Sequence, residues 1–227
     1  MTGTPGTDLV LIQEEFFAEA ISPARLDELL ADGWRHFGTH FFRYSLNLYK
    51  GEIRRVIPLR VRLSDFRASD SQRRALRKNA DLRVEDRSIE ITDEADDLFH
   101  RHKQRFDHSI PTSIYDFLST EPESVPCEAR ELAVYDGERL LAVSYFDVGA
   151  SSLSGIYAMF DPDERGRSLG IFTMLKEIEY ARAGGREFYY QGYAYEGNSF
   201  YDYKKGFAAT EGFDWAGNWE PLTGLQS

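Results

Sequence analysis

The chain of 227 residues holds one cysteine, Cys127, which excludes an internal disulfide and any multi-cysteine metal centre. No apolar run approaches the ~20 residues that a helix needs to span a bilayer. The opening MTGTPGTDLV has neither the basic region nor the apolar core of a secretory signal. Together these absences predict a cytosolic protein with no membrane association. Cations are the scarcer charge: 27 Lys and Arg stand against 38 Asp and Glu, for a formal net charge of −11. That deficit argues against indiscriminate nucleic-acid binding, because phosphate neutralisation needs Lys and Arg, yet it leaves room for one local basic patch. There is no Walker loop, no GxSxG, no HExxH, no internal repeat and no low-complexity tract. His100, His102 and His108 form a histidine cluster in sequence, but residues two apart on a helix point to different faces. Nothing around Cys127 suggests thiolate activation. No metal site is predicted.

What remains is a globular composition, 42% hydrophobic and 14% aromatic, long enough for one large domain or two small halves. The first eight residues read as a flexible lead-in. SPARLDELLADGW (22–34) predicts a Ser-capped helix with Leu26, Leu29 and Leu30 on one face. Residues 39–51 and 54–66 are rich in aromatic and β-branched types and predict a hairpin or adjacent strands. A Pro- and Glu-rich stretch near 120–127 predicts a boundary between an N-terminal half (1–127) and a C-terminal half (128–227). The second half reads as three antiparallel strands with turns at 136–137 and 149–152. A helix opening at Ser168 follows, with Leu169, Phe172, Leu175 and Ile178 as its buried stripe, and then strand, helix and strand. That order is the one found in GNAT-type acyltransferases. The predicted class is α+β, with a GNAT-like C-terminal half and a smaller α/β N-terminal half packed on it.

Three stretches could carry chemistry. In SDFRASDSQRRALRKNADL (64–82), Ser69 and Gln72 make a capping box, Leu76 points inward, and Arg73, Arg74, Arg77 and Lys78 gather on one side. Residues 54–87 hold eleven of the 27 cations, so a compact polyanion suits this region as well as solvent does. DPDERGRSLG (161–170) joins a strand to a helix N-terminus, where free N–H groups, Arg165 and Arg167 suit an anion or a developing oxyanion. QGYAYEGNSFYDYKKGF (191–207) sets Tyr193, Tyr195, Tyr201 and Tyr203 beside Lys204 and Lys205, an arrangement equally able to stack a base or to pack a core.

These stretches, in this order, resemble the arginyl/leucyl-tRNA–protein transferases. The likeness rests on GWRHFGTHFFRY (33–44), PLRVRLSDFRASDSQRRALRKNADL (58–82), FDPDERGRSLGIFTMLKEIEYARAGGREFYYQGY (160–193) and YKKGFAATE (203–211), so it covers most of residues 33–211. It implies a GNAT-like enzyme that moves an aminoacyl group from tRNA to a protein's N-terminal amine, marking that protein for degradation. No cofactor is implied, since the donor ester is already activated; the partners are aminoacyl-tRNA and an acceptor N-terminus. Carried onto this chain, the resemblance implies tRNA contacts at Arg67, Gln72, Arg73, Arg74, Arg77, Lys78 and Asn79. A substrate pocket is implied at Ser168, Leu169, Gly170, Gln191, Gly192 and Tyr193. The reacting centre is implied at Tyr203 and Lys204, with Asp161 or Glu211 as proton acceptor unless the tRNA ribose hydroxyl serves. The chain departs from the family in lacking the N-terminal cysteine cluster, in reading RFDHSIP at 105–111, and in placing Gln191 where the family has leucine. Donor and acceptor identity stay open on these grounds. Two rivals remain: an acyl-CoA N-acyltransferase, for which ERGRSLG lacks the spacing of a pyrophosphate loop, and a non-catalytic RNA- or degron-binding relative.

Overall fold

Long stretches of β-branched and aromatic residues with short turns between them dictate a sheet-dominated chain. In the computed structural model, residues 11–106 and 110–222 are described; the predicted lead-in and His108 lie outside them. The chain opens with β1 (Gln13–Phe17), α1 (Pro23–Ala31), β2 (Arg35–Phe37) and β3 (His40–Tyr44), and these strands form a small antiparallel sheet in the order β1-β3-β2. The Ser22 side chain caps α1, and Leu26, Leu29 and Leu30 are buried as the spacing predicts.

A second sheet of nine strands dominates the molecule. It runs β12 (Trp219–Pro221), β11 (Thr210–Phe213), β5 (Glu52–Arg62), β10 (Phe188–Tyr195), β9 (Ser152–Phe160), β8 (Arg139–Val148), β7 (Ala129–Asp136) and β6 (Arg83–Ser88), with β4 (Leu46–Tyr49) hairpinned to β5. This sheet crosses the predicted boundary at 127. The eleven-residue β5, from the first half, is inserted between β10 and β11 of the second. Its middle is buried from Val56 to Val61, which only a central position permits. Both predicted halves therefore contribute strands to one sheet.

Helices cover both faces. On one, α4 (Leu169–Ala183) packs Phe172, Leu175, Ile178 and Ala181 against Leu141, Phe146, Val148 and Tyr189, and α2 (Asp70–Lys78) rests on α4. On the other, α3 (Asp93–Lys103) packs Leu98 and Phe99 against Val143, Tyr145 and Met159. Val143 and Tyr145 thus face one core, Phe146 and Val148 the other, and an irregularity in the β7–β8 register puts Leu141 on the α4 side. A one-turn helix α5 (Asp202–Lys205) bridges β10 and β11. The order of three antiparallel strands, α4, a parallel β10, α5 and β11 is the GNAT-type arrangement expected from sequence. No helix among the described residues is long and apolar enough to cross a membrane.

Candidate active site

The parallel pair β9–β10 creates the site by failing to stay paired. The two strands are in register only over Ser152–Ser154 and Phe188–Tyr190. Beyond that, β9 follows β8 as far as Phe160, while β10 bulges at Gln191 and follows β5 as far as Tyr195. A cleft opens between them. Gly192 turns the bulge with φ +85°, a conformation that disfavours any side chain.

Two cations occupy the apex of this cleft. Arg35, the first residue of β2, is buried and donates through Nη1 to Ser154 Oγ at 2.6 Å and through Nη2 to the Gly155 carbonyl. Lys204 reaches back from α5 so that Nζ donates to the Tyr193 carbonyl at 3.3 Å. Gly192 admits both: a Cβ there would lie 3.3 Å from Lys204 Nζ and 3.7 Å from Arg35 Nε. Desolvation and the Arg35 charge together pull the Lys204 ammonium down to about 7, and burial also lowers Arg35. No described carboxylate forms an ion pair with either group.

Polar aromatic groups and one further arginine surround them. Tyr203 stands half exposed at the mouth, its hydroxyl pushed up to about 12, chiefly by burial. Tyr157 stacks on Phe117 at 4.0 Å, and its hydroxyl has no hydrogen-bond partner. The Gln191 amide donates to the Lys204 carbonyl at 3.1 Å and leaves Oε1 unpartnered. Arg105 lies 4.3 Å over the Phe160 ring, its pKa lowered by burial and by Arg165. Behind Arg35, Glu177 is buried against the Tyr189 hydroxyl at 2.5 Å, and burial raises its carboxyl to about 7.

The structure brings together Gln191, Gly192, Tyr193, Tyr203 and Lys204, as the sequence predicted. It corrects both candidate carboxylates. Asp161 is fully buried and tied through Oδ2 to Arg101 at 2.6 Å and Arg139 at 2.5 Å, and through Oδ1 to the Asp163 amide at 3.0 Å. Burial alone would raise its pKa, but the amide and the two guanidiniums hold it below the usual range. Glu211 is committed to Arg60 at 2.7 Å and Arg62 at 2.6 Å. Neither carboxylate is free to take a proton. Leu169 and Gly170 are corrected as well. Leu169 is core, and a Cβ at Gly170 would press within 3.1 Å of the Phe160 ring, so both position α4 against β9. Ser168 is exposed in the left-handed region at φ 55° and makes no capping bond.

The basic helix divides similarly. Its capping box forms as predicted. Gln72 is buried as one half of that box, and buried Asn79 donates to the Ala75 carbonyl at 2.9 Å and the Arg167 carbonyl at 2.8 Å; both are structural. Arg67 bonds the Ser64 and Phe66 carbonyls, Arg73 bonds Asp70 and the Ala68 carbonyl, and Lys78 bonds the Gly166 carbonyl. Arg74 and Arg77 are exposed and make no ion pair with described residues. Because Lys78 and Asn79 clasp 166–167, this cationic face lies beside the turn that leads into α4.

Sequence reasoning missed Arg35 and Arg105. Arg35 lies inside GWRHFG, one of the resembling segments, so its signal was present without a role attached.

Residues 94–214 match the family described as arginine-tRNA-protein transferase, C terminus. The chain is 34% identical over 205 residues to an aspartate/glutamate leucyltransferase of Shewanella sp. (strain MR-4), covering 87% of this chain and 80% of that protein. It is 32% identical over 166 residues to the aspartate/glutamate leucyltransferase of Stenotrophomonas maltophilia (strain K279a), covering 70% and 66%. Among solved structures, that of FemX aligns with a TM-score of 0.47 at 14% identity, over 83% of this chain and 65% of that one. A family match over more than half the chain, covering β7 to β11 and Lys204, together with relatives at 34% identity over 87% of the chain, places this protein in the arginine-tRNA-protein transferase family.

Proposed function

We propose that this chain transfers leucine from leucyl-tRNA to the α-amine of proteins that begin with aspartate or glutamate. The observation that carries the reading is the pair Arg35 and Lys204: two cations at one apex, neither in hydrogen-bond contact with a described carboxylate, with Asp147 and Glu177 acting on Arg35 only from farther off. Two like charges at one apex, neither in direct contact with a carboxylate, favour an incoming anion. The acidic side chain of the acceptor's first residue supplies one, and the names of the relatives point the same way.

With the carboxylate anchored at the apex, the acceptor's α-amine lies in the cleft toward Tyr203. It attacks the ester carbonyl of the donor; the C–N bond forms, the ester C–O bond breaks, and the ribose oxygen leaves carrying a proton. Since Asp161 and Glu211 are both committed to arginines, the vicinal ribose hydroxyl is the proton relay that this reading adopts. Positioning supplies most of the rate, because the ester is already activated and no cofactor is required. Arg74 and Arg77, with Arg73 and Lys78 beside them, meet tRNA phosphates and lead the acceptor stem toward the cleft.

The test is direct. Purified protein is incubated with radiolabelled leucyl-tRNA or arginyl-tRNA and peptides that begin with Asp, Glu, Lys or Ala. Leucine on Asp- and Glu-peptides alone is expected. Transfer to Lys-peptides in preference to Asp would overturn the role of the two cations, and absence of transfer to any peptide would overturn the reaction.

A further inference from the structure

Away from the cleft, three side chains from distant parts of the chain converge in the interior: His36 on β2, Cys127 just before β7 and Asp147 on β8, at 3%, 3% and 1% exposure. Their donor atoms lie within 4.8 Å of one another. Nε2 of His36 is 3.0 Å from Asp147 Oδ2, Cys127 Sγ is 3.5 Å from Asp147 Oδ1, and Sγ is 4.0 Å from Nε2. The other ring nitrogen, Nδ1, faces the Gly38 carbonyl oxygen at 2.8 Å. A carbonyl only accepts, so Nδ1 carries a proton. In the neutral ring, the Nε2 lone pair then points at a carboxylate oxygen 3.0 Å away. Two buried acceptors at that distance repel unless a cation stands between them.

We propose that His36 Nε2, the Cys127 thiolate and the Asp147 carboxylate form a site for a zinc-class divalent transition metal. Nitrogen, sulfur and oxygen donors together suit a borderline-soft ion. A tetrahedral zinc requires S···N edges of about 3.6 Å and N···O edges of about 3.4 Å, so sub-ångström shifts complete the donor set. Thiolate and carboxylate neutralise the dication, and binding releases the Cys127 proton to solvent. The Nδ1 bond to Gly38 is the outer contact that fixes the tautomer of a metal-bound histidine. The metal ties the small N-terminal sheet to β8. Because His36 follows Arg35, it also fixes the strand that sends Arg35 into the cleft.

The experiment is anaerobic titration of the chelator-treated full chain with Co²⁺, followed by displacement with Zn²⁺. One equivalent of cobalt should give tetrahedral d–d bands and a near-ultraviolet thiolate-to-cobalt charge-transfer band, and zinc should raise the melting temperature. Cys127→Ala should lose the charge-transfer band and weaken zinc binding by more than the roughly 100-fold that follows loss of an outer-sphere partner. If Cys127→Ala does not fold, Asp147→Asn tests the same set through a shifted cobalt spectrum. Folded parent protein without the charge-transfer band, and with a melting temperature indifferent to zinc, would overturn the proposal. So would nitrogen NMR showing both ring nitrogens of His36 protonated in excess zinc, which would assign the cluster to an imidazolium–carboxylate pair.

Discussion

Under the proposed role of Lys204 as an anchor for the acceptor's carboxylate, its replacement by methionine should stabilise the free protein while abolishing its preference for acidic acceptors. The ammonium falls from an ordinary 10.5 to about 7, first through desolvation and then through Arg35. At about 1.36 kcal/mol per pH unit, that corresponds to at most about 5 kcal/mol of destabilisation when the group is charged. The sign follows from proton counting. Between pH 7 and 10.5 the unfolded chain holds a proton on Lys204 that the folded chain has released, so stability rises with pH across that window. The full penalty is present below pH 7. Other shifted groups act elsewhere: Glu177 titrates near 7 and His102 near 4, while the buried tyrosines are raised above 10. Burial raises the Cys127 thiol, whose loss of a proton in the unfolded chain opposes this trend at about pH 8.5, so the lysine is read from the difference between parent and variant in urea unfolding from pH 7.5 to 9. Relative to Lys204→Met, the parent should gain about 2 kcal/mol over that range. The variant's transfer to Asp-starting peptides should fall by 2–5 kcal/mol of apparent binding, roughly 30- to 4,000-fold in kcat/KM, as when one partner of an enclosed charge pair is truncated. A variant less stable than its parent, with the same pH slope, would refute the reasoning, because it would make Lys204 a structural residue.

Gly192→Ala places a Cβ 3.3 Å from Lys204 Nζ in a backbone at φ +85°; a loss of roughly 1–2 kcal/mol in denaturant midpoint is expected. Its kcat/KM for acidic peptides should fall while filter-binding affinity for tRNA stays unchanged. Arg74→Ala with Arg77→Ala should lower the salt slope of tRNA binding by about 1.5, at about 0.7–0.9 per phosphate contact, and an unchanged slope would remove α2 from the interface. Glu211→Gln leaves Arg60 and Arg62 without their carboxylate and should cost about 3 kcal/mol in urea unfolding. The folded fraction of that variant should keep the parent's kcat; a collapse of kcat in soluble, folded protein would restore Glu211 to the chemistry.

Local signals carried much of the fold into the sequence. The capping box of α2, the leucine stripe of α1 and the apolar face of α4 are each set by residues within one or two turns of each other, and all three formed as the spacing predicts. The long-range pairings were illegible. Nothing in VIPLRV says that β5 will sit between two strands more than a hundred residues away, because its buried run is what any central strand requires. The site divided along the same line. Tyr203 and Lys204 were readable as aromatic residues beside cations, whereas the fate of Asp161 and Glu211 depended on Arg101, Arg139, Arg60 and Arg62, which only folding brings to them.

That contrast yields a criterion that a residue pattern alone cannot supply. Arg60 is also an enclosed cation of this chain and meets Glu211 from a neighbouring strand at 2.7 Å, and partly exposed Arg87 likewise meets buried Glu131 at 2.6 Å. Arg35 and Lys204 meet only carbonyl and hydroxyl oxygens, although the chain has eleven more acids than bases to offer. A fold with such a surplus can neutralise an enclosed cation wherever no ligand must enter. The two without a carboxylate in contact lie where β9 and β10 part, with Asp147 and Glu177 only farther from Arg35, and under the proposed reaction the substrate supplies the contacting anion.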